Sequence, residues 1–304
     1  MALLKTMDTY HQMCRESKDL HRITEDERKK LQSHLLKMYK DLEAVCDRHD
    51  LSVMLAYGST LGAIRHKGFI PWDDDLDVFM LRDDYDKFIN LFAEELPDNY
   101  IVYAPNSKNG PTYRFGKLID KDTTLLSAGA EKIPGIFQGI YIDIFPLEYI
   151  GTNKFINKAK RVVSMFLMYT SSSVAQWEKR NPSYKKIMSG NRTAKFNYWF
   201  RNIYGLCFSF IKSTSWYNLT DKFCHYKKKT QYVDKVTGDY RWVPMPLDMF
   251  IPTTQGEIDG VPVHLPHKPI DFLEFEYGDW QRIPPENERW EHYVKELSFN
   301  IHKE

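Results

Sequence analysis

The segment YGSTLGAIRHKGFIPWDDDLDV at 57–78 gathers a Gly-Ser pair, a short basic stretch and four aspartates into one run. Carboxylates this close repel one another, so each must be hydrated, paired or bound to a cation. The run then passes into an apolar alternation, with Leu76, Val78 and Met80 interleaved with Asp75, Asp77 and Phe79. At a period of two, Asp75 and Asp77 project from one face of a strand while Leu76 and Val78 enter a core. Two carboxylates side by side at a strand edge suit a hard divalent cation such as Mg2+, with Mn2+ as a second candidate. A solvated acidic turn is the plainer alternative, but it leaves the interleaved core residues unexplained.

A third ligand is offered by GIYIDIFPL at 139–147, where Ile140, Ile142 and Ile144 share one strand face and Asp143 lies on the other. A lone aspartate is costly to bury in so apolar a segment. It is either a structural salt bridge or the third carboxylate of a cluster with Asp75 and Asp77. Arg114 and Lys117, in the segment YRFGKLI, lie between the two acidic strands in sequence. Alternation places them on opposite faces unless Gly116 marks a bulge. A site holding a metal and a diphosphate needs further cations, and Arg114, Lys117, Arg65 and Lys67 are the candidates. The Gly58-Ser59 turn adds backbone N–H groups and a hydroxyl that could face a phosphate. Surface charge is the alternative for each cation, and local packing is the expectation for Trp72.

This ordered set resembles the nucleotidyltransferase superfamily and, more narrowly, the LicD phosphotransferase family, which includes phosphocholine transferases and the fukutin-related proteins. The closing segment LPHKPIDFLEFEYGDWQRIPP is similar to the family's Tyr-Gly-Asp element, and the likeness spans about 51–150 and 240–285. The resemblance implies transfer of a phospho-alcohol group, such as phosphocholine, from a CDP-activated donor. The acceptor would be a hydroxyl of a surface glycan, teichoic acid for example, or its lipid-linked precursor. It implies Asp75, Asp77 and Asp143 as catalytic metal ligands, and makes Tyr277-Gly278-Asp279 a structural landmark. Attachment of a nucleotide to a small molecule or protein, or non-catalytic glycan or membrane binding on the same fold, stays open.

The elements that must position these residues can be read from periodicity. Leu31, Leu35, Met38, Leu42 and Val45 stripe a helix over 26–49, ahead of a strand VMLAY. Asp83 and Asp84 open a helix that Pro97 closes. The expected fold is α+β: a nucleotidyltransferase-like mixed sheet with packed helices plus a helical basic insert. Boundaries are expected at 1–50 for N-terminal helices, 51–150 for the catalytic core, 151–238 for the insert, and 239–304 for strands and a helix completing the catalytic domain.

The insert differs from the rest in charge. Residues 151–230 hold 16 Lys/Arg against only Glu178 and Asp221, although the whole chain is +1. The same stretch holds 16 aromatics, and helical phasing is expected around 158–170 and 194–212 with a break at Asn181-Pro182. Basic residues among Trp and Tyr suit an anionic membrane surface, whereas no nucleic-acid motif accompanies them. A packed insert with solvated lysines is the alternative. The 304 residues contain no transmembrane-length apolar run, no apolar signal-peptide core near Met1 and no CxxC among four cysteines. These features lead to the expectation of a cytoplasmic enzyme with reduced thiols, with a peripheral place at the inner membrane face as the further option.

Overall fold

The computed structural model describes residues 14, 17, 20–128, 130–239, 241–289 and 293–299. After a two-residue strand β1 (His21–Arg22), Thr24 caps α1 (Glu25–Arg48) in a reciprocal capping box with Glu27. The expected stripe of Leu31, Leu35, Met38, Leu42 and Val45 is the buried face of α1. The part of the N-terminal region before residue 20 lies almost wholly outside the described residues.

The chain continues through β2 (Val53–Leu55), α2 (Tyr57–Arg65), β3 (Asp77–Leu81), α3 (Arg82–Lys87), β4 (Tyr100–Tyr103), β5 (Gly116–Asp120), β6 (Thr124–Ser127) and β7 (Tyr141–Tyr149). Four helices follow: α4 (Lys154–Lys179), α5 (Pro182–Met188), α6 (Arg192–Cys207) and α7 (Ser213–Cys224). The chain then returns through β8 (Tyr232–Asp234), α8 (Val236–Asp239), β9 (Met245–Pro246), the hairpin β10 (Thr254–Ile258) and β11 (Val261–Leu265), α9 (Pro269–Tyr277) and β12 (Tyr293–Ser298).

The fold is α+β. Its main sheet runs β2-β3-β7-β5-β4, with β8 on the far end of β7 and β9 on β8. Only β3 and β7 pair in parallel along this path; their neighbours are antiparallel. Alternation along the two central strands divides the core. Val78, Met80, Ile142 and Ile144 pack with α1 on one face. Phe79, Phe145, Phe250 and Phe272 pack on the other. Phe79 is therefore as buried as its neighbours, because the sheet is covered on both sides.

Several local expectations shift. The strand carrying the aspartates begins at Asp77, so Asp75 precedes it instead of sharing its pleat. Gly58 and Ser59 sit in the first turn of α2, not in a separate tight turn. The segment 113–119 becomes a strand only from Gly116, and its register against β7 is unbroken, so Gly116 marks no bulge. Gly116 instead allows a close approach: a Cβ there would lie 3.2 Å from the Tyr85 ring. The helix after β3 continues through a π-turn at Phe88–Phe92 and a 3-10 turn before Pro97. The phasing around 158–170 belongs to a helix of 26 residues, and that around 194–212 ends at Cys207, since Lys212 opens a new helix.

The insert leaves the sheet after β7 and rejoins it at β8, which pairs with the end of β7 at Tyr149 and Glu148. Within it α4 and α6 approach so closely at Gly205 that a Cβ would lie 2.2 Å from the Ser173 carbonyl oxygen. Beside apolar packing of Met168 and Cys224 on Ile150, charged groups fasten it to the sheet. Arg82, at the start of α3, donates to Glu148 of β7 at 2.8 Å and to both carboxylate oxygens of Asp221 on α7 at 2.6 and 2.9 Å. One of the two acids of 151–230 is thus consumed in a buried clamp, and the other, Glu178, accepts from the Ser213 backbone N–H at 3.0 Å.

Candidate active site

Three adjacent strands place Lys117, Asp143 and Asp77 in one row. In the parallel β3–β7 ladder Asp77 stands opposite Asp143, and in the antiparallel β5–β7 ladder Lys117 stands opposite the same aspartate. The Lys117 ammonium pairs with Asp143 Oδ1 and sits 3.7 Å over the Tyr141 ring centroid. Partners in a ladder are about 5 Å apart, so two carboxylates and an ammonium meet without any long side chain reaching across. Tertiary pairing supplies what the period-two reading alone could not: the acids of two distant segments stand in register.

The start of β3 is held by the start of α2. The Asp77 backbone N–H donates to Ser59 Oγ at 2.9 Å, and the Ala56 N–H donates to the Asp77 carbonyl at 2.9 Å. Tyr57, which opens α2, has φ +39°, in the left-handed region a tyrosine seldom adopts. Its ring packs against Phe79 and Phe145 and so floors the site. Beside it, a Cβ on Gly58 would lie 3.1 Å from Asp73 Oδ2, so the glycine leaves room for that carboxylate. Ser59→Ala should cost about 1 kcal/mol in urea unfolding, the worth of one hydrogen bond. Turnover should fall severalfold, because the lost contact fixes the backbone of Asp77. An unchanged rate with unchanged stability would detach α2 from the site.

A cleft of about 460 Å³ opens over this row, lined by Tyr57, Asp77, Tyr113, Arg114, Lys117 and Asp143 among others. Arg114 reaches it because it precedes β5 and is free of that strand's alternation. Its guanidinium stacks 4.6 Å over Tyr113 and donates to the Thr237 carbonyl at 2.6 Å and the Gly238 carbonyl at 3.3 Å. A second cavity of about 390 Å³ lies between sheet and insert, and shares Tyr113 and Lys117 with the first. Tyr141, Lys179, Ser213 and Tyr217 also line it.

The remaining expected contacts lie elsewhere. The Ser59 hydroxyl is buried against Asp77, with 4% exposure, so its oxygen serves the strand. Arg65 donates to the carbonyls of Trp280 at 2.8 Å and Arg282 at 3.2 Å, fastening the end of α2 to the chain after α9. Lys67 sits exposed on a left-handed turn, outside the cleft lining. Neither basic residue lines the cleft over Asp77 and Asp143.

Acidic groups dominate the local field. Burial pushes the Asp77 carboxyl well above the usual aspartate range, repulsion from Asp75, Asp143 and Asp73 adds to it, and Lys117 opposes it. Burial also raises Tyr277, with Glu276, Asp77, Asp73 and Asp75 contributing, so the Tyr-Gly-Asp element comes within electrostatic reach of the site. Among the described residues, the trio whose ligand oxygens all lie within 4.8 Å of one another is Asp73, Asp74 and Asp75, not Asp75 with Asp77 and Asp143. The donor set fits a hard divalent cation: its ligands are all oxygen, and negative charge exceeds the single ammonium beside it. Asp73, Tyr57, Tyr113, Gly238 and the second cavity were missed by the sequence reading. Asp73 had a signal, being first of the acidic run; the others depend on chain packing alone.

A helix with Gly-Ser in its first turn, stitched to the first of two parallel acid-bearing strands, is the arrangement expected of a nucleotidyltransferase-type domain. Residues 50–165 match the family model described as LicD/FKTN/FKRP, nucleotidyltransferase domain. The chain is 31% identical over 261 residues to the lipopolysaccharide cholinephosphotransferase LicD of Haemophilus influenzae, covering 83% of this chain and 91% of that protein. It is also 36% identical over 93 residues to the uncharacterized protein RP689 of Rickettsia prowazekii, covering 24% of this chain and 35% of the other. The chain belongs to the LicD family and is a LicD-like transferase of phosphate-containing groups.

Proposed function

We propose that the protein moves a phospho-alcohol group, with phosphocholine as the first candidate, from a CDP-activated donor to a hydroxyl of a surface glycan or its lipid-linked precursor. The observation that carries this reading is the row of Asp77, Asp143 and Lys117 on the floor of a cleft large enough for a nucleotide. The relative from Haemophilus, named for cholinephosphate transfer to lipopolysaccharide, supports the choice of group and acceptor. The enzyme would act in the cytoplasm, where CDP-activated alcohols are available.

Asp77, Asp143 and Asp75 would hold Mg2+ or Mn2+, which when bound neutralises diphosphate charge and polarises the P–O bond to be broken. Lys117, in the row beside Asp143, and Arg114, just ahead of β5, would contact the phosphates. The acceptor hydroxyl would enter from the second cavity, past Tyr113. Its oxygen forms a bond to the alcohol-bearing phosphorus as the bond to CMP breaks, and a site carboxylate, Asp143 in this reading, takes the proton. The work is positioning plus electrostatics, without a covalent enzyme intermediate.

Incubation with labelled CDP-choline and a glycan acceptor tests this: the label should pass to glycan with release of one CMP per transfer. Release of diphosphate from CTP, with nucleotide left on the acceptor, would replace the reading by nucleotidyl transfer. Lys117→Met should lower kcat/KM for the donor by about 10- to 100-fold, the worth of a charged hydrogen bond to phosphate. Arg114→Met should do the same and also lower stability, since its backbone acceptors Thr237 and Gly238 lose a donor. Unchanged donor kinetics in both variants would remove them from the set of phosphate contacts.

A further inference from the structure

Thirteen of the 21 large hydrophobic side chains that stand exposed among the described residues belong to the stretch 151–230 of the insert. On α6, Phe196, Trp199, Phe200, Ile203 and Leu206 recur at three- and four-residue spacing and are 47–69% exposed. That spacing defines one helix face. On α4, Phe155, Val162 and Phe166 do the same, Phe155 at 87% exposure. The two helices' surfaces meet: the Phe166 ring lies 5.8 Å from Phe208, which lies 6.3 Å from Phe210. A phenyl ring left in water is ordinary singly, but a continuous set of this extent marks a surface that is covered in use.

Charge decides what covers it. The stretch 151–230 has a net charge of +14. Its two acids are already engaged, Asp221 with Arg82 and Glu178 with Ser213. Lys154, Lys158, Arg161, Arg192, Lys195 and Lys212 are exposed beside the apolar residues. A second copy would set two such basic surfaces against each other. An anionic bilayer satisfies both features, taking the rings into its headgroup boundary and the bases against its phosphates. No described helix is long and apolar enough to cross a membrane, so the face would lie in the interface.

We infer that the exposed face of α4 and α6 docks the enzyme on an anionic lipid bilayer. The inference deepens the proposed function and rests on it only for its purpose. Lys179 of α4 and Ser213 and Tyr217 of α7 line the cavity beside Lys117, so the insert that carries the docking face also borders the site. Docking itself requires no catalysis.

Flotation of the intact chain with phosphatidylcholine vesicles, with and without phosphatidylglycerol, tests it. Binding should need the anionic lipid and weaken as salt shortens the Debye length. Each base near such a surface is worth about fivefold in partition. Lys158→Glu/Arg161→Glu/Lys195→Glu should therefore raise the lipid needed for half-binding by at least about tenfold. Lys229 is a poor choice for this test because it already pairs with Asp83. Phe196→Asn/Phe200→Asn/Ile203→Asn should also lose vesicle binding, yet keep its circular dichroism and its transfer to a water-soluble glycan, since these side chains face solvent. A blue shift of Trp199 fluorescence on adding anionic vesicles, absent in Trp199→Phe, would place the face in lipid. The inference is overturned if the intact chain ignores anionic vesicles at low salt, or if the Asn variant floats as well as the parent. Concentration-dependent dimers abolished by that variant, without vesicle binding, would assign the face to a second copy. Loss of glycan transfer with docking intact would instead count against the proposed function.

Discussion

Asp77→Asn is expected to lower turnover at least about 100-fold while the fold stays as stable as the parent or gains stability. The two effects have one cause. Asp77 lies among Asp75, Asp143 and Asp73, and burial and mutual repulsion disfavour its charge. Removing that charge relieves repulsion among the carboxylates and, under the proposed function, would remove a ligand of the metal. Asp143→Asn should lose turnover similarly, but it also leaves Lys117 without its carboxylate partner, so its melting temperature should drop. Asp75→Asn should fall in the same range of activity. The measurements are kcat at saturating Mg2+ and thermal unfolding with and without the metal. Added Mg2+ should raise the parent's melting temperature more than that of Asp77→Asn. Near-parental turnover in any two of the three variants would sink the assignment.

Replacing Arg82 should produce the largest loss of stability. Its guanidinium is buried between Glu148 and Asp221, with Asp86 alongside, and joins the end of β3 to β7 and to α7 of the insert. Arg82→Met leaves two buried carboxylates without their cation and should cost about 3–5 kcal/mol in urea unfolding. The Asp221 carboxylate takes two of the guanidinium contacts and Glu148 only one, with Glu148 Oε2 left without a hydrogen bond. Burial accordingly pushes the Glu148 carboxyl up to about 7, against the pull of Arg82. A raised acid binds its proton more tightly in the folded state, so its stabilising contribution is full below the ordinary glutamate range and is lost as pH rises through about 7. Glu148→Gln should be far milder than Arg82→Met, and should flatten the decline of stability between pH 5 and pH 8. A Glu148→Gln loss as large as that of Arg82→Met would mean that Glu148 is fully ionised in the clamp.

How the residues meet divides what is legible in a chain from what is not. Local patterns are set by neighbours a few positions apart, and they carried far. The stripe of α1, the apolar alternation through Val78 and Met80, and the isolation of Asp143 among Ile142 and Ile144 all follow from short-range periodicity. So does the charge contrast of 151–230, because composition survives any fold. The α+β class and the candidate carboxylates could be named on these grounds.

Which candidates share a site is another matter, because strand register and helix docking depend on contacts between residues tens of positions apart. Arg114 and Lys117 line one cleft since β5 starts between them, at Gly116. Arg65, equally basic, is drawn to carbonyls 215 and 217 positions away in sequence. Ser59 serves the backbone of Asp77, 18 residues on, through a contact that only the crossing of α2 and β3 creates. By itself the sequence determined which residue types and patterns were available for metal, phosphate and lipid. The tertiary structure decided which of them converge, because a β-ladder brings distant residues to about 5 Å while residues adjacent in sequence turn to opposite faces.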